Sequence, residues 1–131
     1  YAGRLSGPLR DRMDLTVDVQ RVPADALGTA VAGEPSSAIG ARVLAARARQ
    51  SARLAGTGVR TNAELTSSML REYAHLDPAG LRLLRAATER LGLSARAFDR
   101  VRRLARTVAD VEGADEVAAD HVAEALQFRT A

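Results

Sequence analysis

The sequence predicts a mainly α protein: a helical bundle of four to five helices preceded by one orphan β-strand. Three observations carry this. From Ser36 onward, apolar residues recur at helical spacing between residues that start and stop helices, whereas Asp14–Val22 alternates with a period of two. The third observation is size: 131 residues, 47% apolar and 27% charged, can bury one core without disulfide staples.

In the alternating segment Leu15, Val17 and Val19 fall on one side and Thr16, Asp18 and Gln20 on the other. A single strand needs a sheet that this chain does not supply, so Tyr1–Val22 is expected to be mobile on its own. Pro23 ends the pattern, and the Gly-, Ala- and Pro-containing stretch to Pro35 reads as a linker. Ser36 or Ser37 is placed to cap a helix running to about Leu54, with Ile39, Val43, Leu44 and Leu54 as its apolar side and Gly56 as its stop. Asn62 then caps a short helix with Leu65, Met69, Leu70 and Tyr73. Asp77-Pro78 sets a cap before a proline at the first helical position, and that helix carries Leu81, Leu84 and Leu91 to Gly92. Ser94 caps the longest amphipathic segment, with Phe98, Val101, Leu104, Ala105 and Val108 inward, and Gly113 breaks it. Asp120 is expected to cap a last short helix, with Val122, Ala125 and Leu126 inward and Phe128 just beyond.

The composition excludes much chemistry. With no cysteine there is no thiol nucleophile and no Cys-ligated metal; with all 19 basic residues arginine there is no P-loop lysine, Schiff base or Ser-Lys dyad. No run of apolar residues is long enough to span a bilayer. A net charge of +3 is modest for a nucleic-acid binder, and 3% aromatics argue against a base-stacking platform. No serine lies near a histidine, and His75 and His121 lack metal-ligand spacing; they read as residues at helix ends. Asp99 with Arg103, and Arg106 with Asp110, are i,i+4 partners of the kind found on a solvated helix face.

Arginines are what remain. Arg96, Arg100 and Arg103 form one stripe on the Ser94-capped segment, with Arg102 and Arg106 on an adjoining face. For Arg100, Arg102, Arg103 and Arg106 a solvated face opposite the core is the simpler reading. Arg96 is different: it falls in the first turn, where a cation opposes the helix dipole but would help free amides hold an anion. Arg4, Arg10 and Arg12 surround a Gly-Pro turn just before the alternating segment. The chain opens at Tyr1, and its first dozen residues read like the middle of a longer protein, so a fragment is expected.

Ser6-Gly-Pro-Leu-Arg-Asp-Arg-Met-Asp-Leu15, followed by Thr16-Val-Asp-Val19, resembles a motif of magnesium-chelatase-like AAA+ ATPases, closest to the ComM/YifB competence-protein group. The stretches Ala41–Gln50, Asn62–Leu65, Leu93–Arg100, Ala105–Asp110 and His121–Arg129 fit the same group in the same order. The resemblance implies that Arg12 is an arginine finger reaching ATP on a neighbouring subunit, and that Arg96 is the sensor-2 arginine of a helical lid. Met13 stands where Ile or Phe is usual, and Arg10 where Leu is usual, leaving Arg10 and, more weakly, Arg4 as candidates to share the finger role.

The expected division is then 1–22 as the end of the AAA+ core, 23–60 as linker and connecting helix, and 61–131 as the lid. The intact protein would bind ATP and Mg2+ through Walker motifs upstream, form a ring of identical subunits, expected to be a hexamer, and act on DNA in the cytoplasm as a branch-migration helicase. The fragment alone would bind no cofactor and be a monomer, with no membrane partner. Three alternatives stand beside this: the motor subunit of a true magnesium chelatase, an independent DNA-binding module using the Arg96–Arg106 face, and a lid that only packs.

Overall fold

A computed structural model describes residues 12–28 and 33–130. Its described helices are α1 (Ser36–Arg53), α2 (Leu70–Tyr73), α3 (Pro78–Leu91), α4 (Ala95–Glu112) and α5 (Ala119–Thr130), with short 3-10 turns at Ala24–Gly28 and Asn62–Glu64. The mainly α bundle of the sequence reading is what forms. Four boundaries stand where capping chemistry puts them. The Asp77 carboxylate accepts from the Gly80 amide at 2.5 Å, with Pro78 at the first helical position. Ser94 Oγ accepts from the Ala97 amide at 3.2 Å. Gly92 and Gly113 end their helices at φ of 62° and 79°, where a Cβ would be strained.

α4 is the centre. Its Val101, Ala105 and Ala109 pack with Leu84 of α3 and with Val122 and Ala125 of α5, and Leu76 and Val117 close the same core. Those last two are joined in an isolated parallel bridge, with the Asp77 amide donating to Val117 O at 3.0 Å. A smaller cluster of Leu54, Leu65, Leu70 and Ala74 fills the space under the loop between α1 and α3. Helices α3 and α5 come close at Gly80, where a Cβ would lie 3.3 Å from Val122 Cγ2.

Several expectations are corrected. Residues 15–23 form no strand, because no described segment offers them a neighbour; Val17 and Val19 are exposed. The start of this segment is nonetheless tied down, since the Thr16 amide donates to Phe128 O at 2.9 Å and Arg129 Nη1 donates to Met13 O at 2.9 Å. Pro35, not Ser36 or Ser37, is the N-cap of α1. Ile39, Val43 and Leu44 are exposed; the buried side of α1 is Ala46 and Gln50, leading into Leu54. Only the second half of α1 meets the bundle, so its first turns have nothing to bury against. Asn62 caps nothing and is itself buried, and the residues after it form a 3-10 turn before the one-turn helix α2. The last helix starts at Ala119, so Asp120 lies within its first turn, and the amide of Ala118 just before it donates to His121 Nδ1 at 2.9 Å. Phe128 is inside that helix.

Candidate functional site

Helix α4 carries five arginines, and their environments differ sharply. Arg100 Nε lies 3.6 Å from Asp14 Oδ1. Arg102 Nη2 donates to Leu70 O at 2.6 Å and Ala74 O at 3.1 Å, the first residue of α2 and the residue just after it. Arg103 Nε donates to Leu65 O at 2.8 Å. Arg106 donates to Ala114 O and Asp115 O at 2.6 and 2.7 Å and pairs with Asp110 at 3.0 Å. Burial holds the guanidinium of Arg102 below the usual arginine range, with Asp99 opposing; it does the same to Arg106, where Asp110 opposes. The solvated face read for these four residues is therefore corrected: Arg106 is buried, Arg100, Arg102 and Arg103 are partly buried, and each is engaged by another part of the chain. The Asp99–Arg103 pair does not form either, because Arg103 is taken by Leu65 O and Asp99 accepts from the Ser67 hydroxyl.

Arg96 is the exception. It is exposed, sits second in the helix, and has no hydrogen bond or ion pair with a described residue. The cap on Ala97 fixes the helix start, while the amides of Ala95 and Arg96 have no intrahelical acceptor. A free planar fork beside two unpaired amides and the positive end of the dipole fits a phosphate group.

Arg12 is likewise exposed, in a turn, with no ion pair to a described residue. Its chain neighbours Met13 and Asp14 reach Arg129 and Arg100, so the Arg12 segment lies alongside the bundle that carries Arg96. Arg4 and Arg10 lie outside the described residues. His75 is exposed, and His121 is buried between the Ala118 amide and Glu112, whose Oε2 is 2.9 Å from Nε2. Because Nδ1 accepts, the ring proton is on Nε2 and faces Glu112. No group of three or more His, Cys, Asp or Glu among the described residues could hold a metal ion. No described helix is long and apolar enough to cross a membrane.

What sequence reasoning missed is a buried polar hub. Asn62 Nδ2 donates to Asp110 Oδ2 at 2.9 Å and to Thr107 Oγ1 at 3.1 Å, and its Oδ1 accepts from Arg53 at 3.1 Å. Arg53 also grips Asp110 with both Nη atoms, at 2.7 and 2.5 Å, and the Asn62 amide donates to Gln50 Oε1 at 2.6 Å. The only sequence signal was the Arg106–Asp110 spacing, which does not reveal burial.

Residues 33–129 match the family described as "Magnesium chelatase, subunit ChlI C-terminal". An uncharacterised protein of Mycobacterium tuberculosis is 42% identical over 129 residues, covering 98% of this chain and 25% of its own length. The protein YifB of Escherichia coli and the competence protein ComM of Haemophilus influenzae are each 38% identical over 130 residues, with the same coverage. This chain belongs to the magnesium-chelatase-like ComM/YifB family. It spans about a quarter of the length of those relatives. Arg96 falls inside the residues matched by the magnesium chelatase C-terminal family, while Arg12 precedes them and is covered by the near-complete pairwise matches.

Proposed function

We propose that this chain is the C-terminal part of a ring-forming AAA+ ATPase, with residues 61–131 as its lid and 1–22 as the end of its core. Arg96 contacts a nucleotide phosphate, and Arg12 is the finger that reaches the nucleotide of the neighbouring subunit. The observation that carries this reading is the isolation of Arg96. Every other arginine of α4 is engaged inside the molecule, whereas Arg96 stays free at a capped helix start, where it is electrostatically unfavourable without an anion.

The chemistry is charge stabilisation. Phosphoryl transfer spreads negative charge over equatorial oxygens, and a guanidinium fork held against them lowers the barrier. ATP supplies the phosphoryl group and Mg2+ neutralises it. This chain's part is to place two arginines, with the other nucleotide-binding groups contributed from outside it. The substrate of the motor is proposed to be DNA, in line with the name of the competence protein ComM. The motor of a metal chelatase is the second reading, favoured by the family description alone. An independent DNA-binding module loses ground, since four of its five arginines are committed internally.

The test is ATP hydrolysis by the intact protein, with and without DNA, for wild type, Arg12→Ala and Arg96→Ala. Both variants should still assemble. Arg12→Ala should lose about 10³-fold or more in turnover. DNA stimulation of the wild type separates the two motor readings, and normal hydrolysis by both variants would sink the site assignment.

A further inference from the structure

The segment carrying Arg12 is held by the bundle through polar contacts rather than by buried apolar surface. Val17 and Val19 are exposed, Leu15 is half-exposed and only Met13 is partly buried, so little hydrophobic burial holds residues 13–19 in place. Among the described residues, three polar contacts reach this segment. Arg129 Nη1 binds Met13 O, the Thr16 amide binds Phe128 O, and Arg100 faces Asp14. The first acts on the residue next to Arg12.

Arg100 stands out among these anchors. It is one helical turn beyond Arg96 on the same stripe, so both arginines project from one side of α4. Its side chain is 14% exposed while that of Asp14 is 63% exposed, so the guanidinium lies in the surface of the bundle and the carboxylate covers it from the solvent side. The pair borders a small open pocket shared with Ala63, Arg103, Leu104 and Thr107.

We propose that Arg100 is a positioning residue that fastens the Arg12 segment to the helix bearing Arg96, so that a change of that helix's orientation on its own nucleotide moves the finger offered to the neighbour. This rests on the nucleotide reading above. It makes α4 a single lever with two outputs: phosphate contact at its start, and finger placement one turn on.

Two measurements test it. In the 131-residue chain, hydrogen exchange at the Thr16 amide should be slow, and Asp14→Asn or Arg100→Met should each speed it by about tenfold while Val101 and Val122 stay protected. Asp14→Asn changes only an exposed side chain, so a folding defect in Arg100→Met does not obscure the result. A wild-type Thr16 amide that exchanges freely, or one that ignores both variants, overturns the clamp. In the intact protein, Arg100→Met should lower kcat for ATP by about tenfold or more with KM near wild type. Arg96→Ala should instead raise KM. Exchanging the charges, with Arg100→Glu and Asp14→Arg together, should recover part of the loss. If Arg12→Ala is inactive and Arg100→Met turns over normally, the positioning role is overturned and the finger reading stands. If Arg12→Ala is fully active, the finger reading fails and the positioning role falls with it.

Discussion

Arg106 and Asp110 stand one turn apart on α4 with Nη2 and Oδ1 separated by 3.0 Å, and neither side chain is more than 3% exposed. Asp110 also takes both Nη atoms of Arg53 and the amide of Asn62, so one carboxylate serves two guanidinium groups. Removing it leaves buried cations without their counter-charge. Asp110→Ala should therefore destabilise the chain by about 3 kcal/mol or more in urea unfolding. Combining it with Arg106→Met should cost less than the sum of the two single changes, because the uncompensated charge leaves with the arginine.

The Glu64 carboxylate is held in its charged form by its neighbours. The Thr61 hydroxyl and then the Arg60 amide donate to its carboxylate, holding its pKa below the usual 4.5. The bonds favour the charged form, so what they contribute to stability is present above the unfolded pKa and lost as pH falls through the folded one. A carbon-detected NMR titration should give a midpoint below 4.5, and Thr61→Val should move it back up.

Gly80→Ala normally favours a helix interior by about 1 kcal/mol. Here the added Cβ would stand 3.0 Å from Asp77 Oδ1 and 3.3 Å from Val122 Cγ2. It presses on both the α3 cap and the α3–α5 contact. The change should lower stability by about 1–3 kcal/mol in thermal or urea unfolding.

Helix existence and many helix ends were legible because Asp77-Pro78, Gly92, Ser94 and Gly113 each act through local backbone chemistry. What was illegible depends on which faces meet. Ile39, Val43 and Leu44 follow a helical period as well as Ala46 and Gln50 do, and only packing shows that the second set is buried. Asn62 has the chemistry of a cap and is placed by three distant partners into a hub instead. An i,i+4 Arg–Asp pair looks the same in sequence whether water reaches it or not. At the candidate site the oddity of Arg96 in a first turn was readable from its position. The Asp14–Arg100 contact was not, because nothing local links residues so far apart.

Much of the bundle's polar stitching joins a guanidinium to a peptide oxygen: Arg102 to Leu70 and Ala74, Arg103 to Leu65, Arg106 to Ala114 and Asp115, Arg129 to Met13, Arg49 to Gly113. Neither end of such a bond gains or loses a proton over the range in which carboxylates, histidines and lysines do. A lysine in the same place could be neutralised by alkali, and a carboxylate partner by acid. These seams therefore hold their protonation state from acid to alkali.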